Sequence, residues 1–215
     1  MDAVRDLLPA FQATSTETAT LSTPEPTLRL ERWGVPSRYL AASFDNWVER
    51  ANTAGALRVA REWADAPLSD RGFFLLGAPG TGKTHLTVAA LRRQAERGLR
   101  RARFVNVPLL LDRLRSAQRY TDSAAVEEFE YLRDECRLVV LDDFGKERAT
   151  DWATERLYVL VESRYSQLLP TVATSNRTLT ELEEYGYGAM VSRLQETCRV
   201  VSLAAARDYR PEKGR

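Results

Sequence analysis

Residues 77–84 read Gly-Ala-Pro-Gly-Thr-Gly-Lys-Thr, which satisfies the pattern G-x-x-x-x-G-K-[ST]. Glycines in such a turn let the backbone wrap a triphosphate with its N–H groups pointing inward, and the N-terminus of the following helix adds positive potential. Lys83 can reach the β- and γ-phosphates, and the Thr84 hydroxyl can ligate Mg²⁺. His85 is expected to pack in the first turn of that helix and to bind no metal. The predicted ATP contacts are Gly77, Pro79, Gly80, Thr81, Gly82, Lys83, Thr84 and His85.

Two carboxylates follow the apolar run Leu138–Leu141. Asp142 would lie at the carboxyl end of a buried strand, beside the Mg²⁺ shell that Thr84 shares. Asp143 would face the γ-phosphate and could orient and deprotonate the attacking water. Glu is the commoner residue at this second position, and Asp is shorter by one methylene. An adaptor that binds ATP and hydrolyses it poorly therefore stays an alternative to an active ATPase.

A polar residue also ends the next apolar run, where Thr174-Ser175-Asn176 follows Thr171–Ala173. The Asn176 amide could hydrogen-bond the attacking water or the γ-phosphate. Its significance comes from its place, one helix and one strand after the two acids. The catalytic set predicted from the residues is therefore Lys83, Asp142, Asp143 and Asn176.

The elements that must position these residues alternate along the chain. Apolar runs predict strands at 73–76, 102–107, 138–141, 171–174 and 198–203. Apolar periodicity and end signals predict helices at 45–66, 83–97, 109–119, 123–135, 150–168 and 190–196. This alternation predicts an α/β fold in which a parallel sheet is covered by helices on both faces.

The N-terminal region differs in composition from the remainder. Residues 12–28 are rich in Thr, Ser and Pro, which is typical of a linker. Before them, Val4, Leu7, Leu8 and Phe11 are spaced as one face of a short helix that could dock on a partner. We therefore expect a docking segment and flexible linker at 1–29 and one ATPase domain at 30–215.

Composition excludes several classes of protein. A chain of 215 residues with 44% hydrophobic and 28% charged residues fits a single globular domain. It contains no apolar run of membrane-spanning length and no secretory signal, so we expect a cytoplasmic protein with no membrane partner. Two cysteines, Cys136 and Cys198, and one His exclude an ordinary zinc site, and we expect buried thiols.

Charge is balanced overall at +1 but is unevenly distributed. Residues 92–119 are strongly basic and residues 121–155 are acidic, which suggests one side that faces a polyanion. Solvated helix faces would explain the same pattern. Only three of the 31 Lys and Arg residues are lysines, at 83, 146 and 213, and overall composition can account for that bias.

The order of these motifs resembles that of the AAA+ ATPases, and within them the DnaC-like helicase loaders and the IstB-like transposition ATPases. The resemblance covers about residues 30–210. The supporting segments are Gly-Val-Pro-Ser-Arg-Tyr at 34–39, Ser-Phe-Asp-Asn at 43–46, Leu-Asp-Asp-Phe-Gly-Lys-Glu at 141–147, Leu157-Tyr158 with Arg164-Tyr165, and Asp208-Tyr209-Arg210. It implies a P-loop NTPase AAA+ core with a five-stranded parallel sheet and a minimal or absent C-terminal lid.

The resemblance also implies roles for individual residues. Asn176 matches sensor 1, and Arg193 matches the arginine finger that completes the ATP site of a neighbouring subunit. Arg210 matches sensor 2, with Arg207 as the alternative, and Arg164 is a further candidate for acting in a neighbour's site. Residues 39–47 would lie against the adenine. The helical insertion after the second strand would grip single-stranded DNA through Arg113, Arg115, Arg119 and Tyr120.

The function implied is that of a DnaC-like loader of a replicative DNA helicase, which binds ATP–Mg²⁺ and single-stranded DNA and self-associates in an ATP-dependent ring or spiral. An IstB-like ATPase that directs a transposase to target DNA is the main alternative. A P-loop kinase for a small molecule is a third, and it would work without a neighbour's arginine.

Overall fold

The computed structural model describes residues 26–120 and 123–203, with side chains described at 26–117 and 123–203. The strands are β1 Gly72–Leu76, β2 Ala102–Asn106, β3 Leu138–Asp142, β4 Thr171–Ser175 and β5 Cys198–Ser202. The helices are α1 Pro26–Arg32, α2 Ala54–Asp65, α3 Lys83–Glu96, α4 Val107–Tyr120, α5 Ser123–Glu130, α6 Asp151–Ser166, α7 Leu179–Leu182 and α8 Gly188–Thr197. A 3₁₀ turn at Ser37–Tyr39 and π-helical turns at Tyr131–Glu135 and Glu183–Tyr187 connect them.

The five strands form one sheet in the order β2-β3-β4-β1-β5, and every pair of neighbours is parallel. Because all the strands point the same way, the residues that follow β1, β3 and β4 meet at one edge. The predicted five-stranded parallel sheet is confirmed.

Apolar side chains pack on both faces of this sheet. Phe73 and Leu75 of β1 belong to a core cluster formed with α1, α2 and α3, whereas Phe74 belongs to the cluster formed with α4, α5, α6 and α8. Successive residues of a strand point to opposite faces, so one fully buried strand serves both clusters. The apolar runs of the sequence are continuous for this reason.

Helix α2 begins at Ala54 and not at the predicted residue 45. An Asn46 turn precedes it, in which the Ser43 N–H donates to Asn46 Oδ1 at 3.0 Å and Asn46 Nδ2 donates to the Ala41 carbonyl at 2.7 Å. Asn52 then adopts a left-handed φ of 65°, which a helix cannot continue through. The segment 40–53 is therefore irregular backbone.

Helix α1 begins at Pro26, within the stretch that composition indicates as linker. Its Arg29 is buried and donates to the carbonyls of Ala95 and Leu99, at 2.6 and 3.3 Å, where α3 ends. The division at residues 29 and 30 stays a prediction, and Val4 to Phe11 lie outside the described residues. Across the described part of the chain, every helix is too short or too polar to cross a membrane.

Candidate functional site

The glycine-rich turn at 77–84 joins β1 to α3, which begins at Lys83. Gly80 and Gly82 have φ of 80° and 92°, a region that glycine adopts at little cost. A Cβ on Gly82 would also collide with the indole of Trp47. Lys83 is 5% exposed, and its ammonium donates to the carbonyls of Gly77 and Ala78 at 2.5 and 2.9 Å. The turn therefore holds the Lys83 ammonium beside the N-terminus of α3, where the helix dipole is positive.

A pair of oxygen donors lies next to this turn. Thr84 Oγ1 donates to Asp142 Oδ1 at 3.0 Å, and Thr174 Oγ1 donates to the same oxygen at 2.7 Å. Burial raises the pKa of Asp142, a shift that the neighbouring charge of Asp143 reinforces and the two hydroxyls oppose. A carboxylate and a hydroxyl are hard donors that fit Mg²⁺, which usually takes its remaining ligands from phosphates and water. The described residues hold no cluster of three or more His, Cys, Asp or Glu side chains suited to a metal.

Four side chains at this edge form a continuous hydrogen-bonded series, which we call the polar chain. Lys83 Nζ donates to Asn176 Oδ1 at 2.9 Å, and Asn176 Nδ2 donates to Asp143 Oδ1 at 3.1 Å. Lys146 Nζ completes the polar chain by donating to Asp143 Oδ2 at 2.9 Å. The structure thus joins three predicted site residues, Lys83, Asn176 and Asp143, to one that the sequence analysis did not select.

Two residues of this edge escaped the sequence analysis. Asn106 ends β2 opposite Asp142 in the sheet register, and its Nδ2 lies 3.4 Å from Asp143 Oδ2. A polar residue at the end of a strand next to β3 is the signal that could have indicated it, but strand order is not visible in the sequence. Lys146 follows Asp143 by three residues in a tight turn and gives no pattern of its own.

A cavity of about 360 Å³ opens over the turn, within the range of roughly 300–1,000 Å³ that is typical of small-molecule sites. It is lined by Arg38, Tyr39, Asn46, Trp47, Val48, Arg50 and Thr53, together with Gly80 to His85, Asp143 and Asn176. Tyr39, Asn46 and Trp47, from the stretch predicted to lie against the adenine, therefore border the same cavity as the phosphate turn.

His85 and Trp47 form one wall of this cavity. The His85 Nε2 atom is hydrogen-bonded to the Ser43 carbonyl at 3.0 Å, and its ring centroid lies 5.3 Å from that of Trp47. His85 thus packs in the first turn of α3, as expected. The Trp47 Nε1–H is buried and has no hydrogen-bond partner among the described residues.

Arg193 lies on α8, outside the cavity lining. Its Nε pairs with Glu162, its Nη1 donates to the Ala189 carbonyl at 3.2 Å, and its guanidinium lies 5.8 Å from the rings of Tyr158 and Tyr165. The side chain is 30% exposed, so another molecule can approach it. Its role as an arginine finger stays a prediction.

The predicted DNA-binding residues are described only in part. Arg113 forms an ion pair with Glu128 at 2.8 Å, and the Arg115 guanidinium lies 5.1 Å above the Trp152 ring. The side chains of Arg119 and Tyr120, and all of Arg207 and Arg210, lie outside the described residues.

Arg164 is not a residue that could act on a neighbour, and that prediction is wrong. Its side chain is 1% exposed, and every nitrogen donates within the chain. The acceptors are the carbonyls of Leu132, Cys136 and Pro170, at 2.6, 2.8 and 2.8 Å, and Thr171 Oγ1 at 3.1 Å. Burial lowers the pKa of the guanidinium to about 10. Arg164 therefore braces the segments that precede β3 and β4.

Comparisons with known proteins identify the family of this chain. The model of the family described as IstB-like ATP binding protein matches residues 68–213. The uncharacterized protein YdaV of Escherichia coli (strain K12) is 30% identical over 171 residues, which cover 78% of this chain and 64% of YdaV. The chain spans less than two thirds of the length of the curated relatives it matches.

Solved structures also match the fold. The crystal structure of the DnaC helicase loader has a TM-score of 0.70 and 26% identity, covering 78% of this chain and 99% of that one. The crystal structure of DnaI has a TM-score of 0.67 and 22% identity, covering 80% and 93%, which is a likeness of fold alone.

Proposed function

The chain belongs to the IstB-like ATP binding protein family, and from that premise we propose that it is an Mg²⁺-dependent ATPase that loads a replicative DNA helicase. The resemblance read from the motifs is thereby confirmed at the level of an ATP-binding AAA+ fold. One observation carries the ATPase part of this proposal. Lys83, Asn176 and Asp143 are linked by hydrogen bonds beside one cavity. Thr84 and Asp142 form a second hydrogen-bonded pair, and Thr174 joins the two groups through the Asp143 N–H and Asp142 Oδ1.

The chemistry follows from what these residues can hold. Lys83 can exchange its carbonyl partners for phosphate oxygens of ATP, since an ammonium is a point charge with rotatable donors. Thr84 and Asp142 would hold Mg²⁺, which when bound neutralises phosphate charge as a Lewis acid. Asp143, fixed by Asn176, accepts a hydrogen bond from water and orients it towards the γ-phosphorus. Water then replaces ADP on that phosphorus and gives up a proton to Asp143, so that the products are ADP and phosphate.

Self-association is the second part of the proposal. Arg193 borders no part of its own cavity, yet its guanidinium is partly exposed on α8. These facts support a role in the site of an adjacent copy, where a guanidinium would neutralise charge on the transferring phosphoryl group. ATP would then join subunits into a ring or spiral, and hydrolysis would loosen it.

DNA and helicase binding form the third part. The ion pair of Arg113 is half-exposed, and such surface pairs contribute little, so a DNA phosphate can compete with Glu128. Binding to single-stranded DNA through this helix would weaken steeply with salt. Docking on the helicase through Val4, Leu7, Leu8 and Phe11 is proposed from the sequence, since those residues lie outside the described part of the chain.

The description of the matching family favours one alternative, an IstB-like ATPase that directs a transposase to target DNA. Its ATP chemistry would be the same, so the partner must decide. Copurification with a hexameric helicase supports the loader, whereas copurification with a transposase supports the alternative.

The test is sizing of the full chain with and without ATP–Mg²⁺ and single-stranded DNA, followed by addition of the candidate helicase. We expect ATP-dependent assembly in wild type and its loss in Lys83→Ala and Arg193→Ala. Arg199→Ala is the matched control, because Arg199 also pairs with a glutamate, Glu62, at 2.5 Å on the surface. Unchanged ATP turnover in Arg193→Ala, with turnover abolished in Lys83→Ala, would refute the assembly switch and leave the ATPase standing.

A further inference from the structure

Both lysines of the described residues end the same polar chain. The sequence has 31 basic residues of the Lys and Arg types, and all but Lys83, Lys146 and Lys213 are arginines. Lys83 donates to Asn176 at one end of the polar chain, and Lys146 donates to Asp143 at the other end. Almost every other basic residue of the chain is arginine. The use of lysine at both ends of the polar chain therefore needs a chemical explanation.

The two cations differ in physical form, and the difference matters at a short carboxylate. Arginine is a planar fork that matches a carboxylate with two parallel hydrogen bonds, which would occupy both oxygens of Asp143. An ammonium is compact and needs only one of those oxygens. Lys146 uses Oδ2, and the amide of Asn176 uses Oδ1. Asn106 Nδ2 also lies 3.4 Å from Oδ2, so it is Oδ1 that keeps acceptor capacity for a further hydrogen bond.

The backbone fixes where Lys146 stands. Asp143 has a left-handed φ of 60°, and the Lys146 N–H donates to the Asp143 carbonyl at 3.1 Å, which closes the turn. Gly145 within this turn has a φ of 80°, and a Cβ there would collide with Leu182. The turn therefore places Lys146 where its ammonium donates to Asp143 Oδ2, while Asn176 donates to Oδ1.

We propose that Lys146 is a positioning residue for Asp143, which it and Asn176 hold between them in the orientation that water activation requires. The proposal rests on the function proposed above, in which Asp143 orients the attacking water. Lys146 lies outside the cavity lining, and so it acts through Asp143 and not on ATP. Lys146 and Asn176, with Asn106 as a third and longer contact at 3.4 Å, compensate for the missing methylene of Asp143 by restraining the rotation of its side chain.

An ordinary surface ion pair is the competing explanation, and the molecule contains a close match for one. Arg93 and Asp65 are 2.8 Å apart with side chains 49% and 55% exposed, while Lys146 and Asp143 are 2.9 Å apart with side chains 58% and 22% exposed. If Lys146 were only such a pair, Lys146→Met and Arg93→Met would behave alike in every assay.

The experiment compares steady-state ATP hydrolysis of full-length wild type, Lys146→Met, Lys146→Arg and Arg93→Met. We expect kcat of Lys146→Met to fall about 10-fold with KM unchanged, because misplacement of a catalytic group by even 1 Å slows the chemical step. Lys146→Arg should recover part of the loss, and Arg93→Met should match wild type. Asp143→Asn should abolish most turnover, and adding Lys146→Met to it should lower kcat no further.

The results separate this inference from the proposed function. If Lys83→Ala or Asp143→Asn hydrolysed ATP as fast as wild type, the proposed function would be overturned. With that function upheld, three results would overturn the inference alone. These are a kcat of Lys146→Met within twofold of wild type or above it, a change confined to KM, or a further loss when Lys146→Met is added to Asp143→Asn.

Discussion

Lys83 and Arg164 are buried cations at opposite edges of one sheet, 5% and 1% exposed. Lys83 lies at the carboxyl edge beside an open cavity, with two carbonyls and the Asn176 amide as its acceptors. Arg164 lies at the amino edge, where the segments before β3 and β4 enclose it completely. Burial and charge are alike, but only the partners of Lys83 can be replaced by a ligand.

The contrast teaches how to separate a binding cation from a structural one. A buried guanidinium that satisfies several backbone carbonyls stabilises the chain segments that carry them. A buried ammonium next to a cavity exchanges acceptors when phosphate enters. Access to a cavity, and not burial, distinguishes the two residues.

The largest expected effect is on ATP turnover at the carboxyl edge. Lys83→Ala should lower turnover by at least about 100-fold, as removal of one preorganised charge donor typically does. Its free energy of unfolding should change much less than that of an Arg164 variant. Turnover is measured by phosphate release. If Lys83→Ala still hydrolysed ATP, Lys83 could not be distinguished from Arg164 as a ligand-binding cation.

The second effect is on stability at the amino edge. Arg164→Met should lower the free energy of unfolding by about 3 kcal/mol, because three buried carbonyls lose their donor. Below the unfolding temperature, its ATP turnover per folded molecule should equal that of wild type. Denaturant unfolding monitored by circular dichroism measures the first quantity, and a stable Arg164→Met chain with impaired turnover would reverse the assignment.

A third variant tests the turn that holds Lys83. Gly82→Ala places a Cβ at a left-handed φ of 92° and against the Trp47 indole, so we expect a stability loss of about 1 kcal/mol. It should weaken ATP binding as well, measured by calorimetry. Gly98→Ala is the matched control, since Gly98 has a φ of 97° with open space around its Cβ position. Equal ATP affinity in both variants would show that the Trp47 contact does not matter for the site.

The smallest effect is expected at Asp134, close to Arg164 at the amino edge. Hydrogen bonding to Arg133 lowers the pKa of Asp134 from 3.8 to about 2, and Ser163 and Gln167 add to the shift. A lowered pKa stabilises the fold above pH 3.8, and that contribution is lost as the pH falls towards 2. Asp134→Asn should therefore flatten the acid limb of Tm against pH. An unchanged acid limb would show that the shift does not affect folding.

Much of the fold could be predicted because motifs and apolar runs lie next to each other in the sequence. The phosphate turn, the two acids after Leu141 and the strand before Asn176 each combine a motif with a neighbouring apolar run, and the sheet brings them together as expected. In a parallel sheet the carboxyl ends of all strands lie at one edge, so the residues that follow the strands come together there in any strand order.

Other features depend on contacts that the sequence does not display. Nothing around Arg164 indicates that three backbone carbonyls enclose it, and Asn106 matters only because β2 is the neighbour of β3. Helix α2 starts later than the apolar pattern predicts because Trp47 and Val48 line the cavity and do not continue a helix.

The sheet order also has a consequence for synthesis of the chain. Among the described strands, β1 pairs with β4 and β5, and both follow it by about a hundred residues or more in the chain. Phe73 to Leu76 therefore emerge from the ribosome long before these partner strands exist. At roughly 5–20 residues per second, that interval is on the order of ten seconds. During it a fully apolar strand is open to aggregation or to capture by a chaperone, and the phosphate turn attached to it has no sheet to anchor it. The yield of folded protein in cells should therefore depend on the speed of translation, and the equilibrium stability of the fold alone would not predict that dependence.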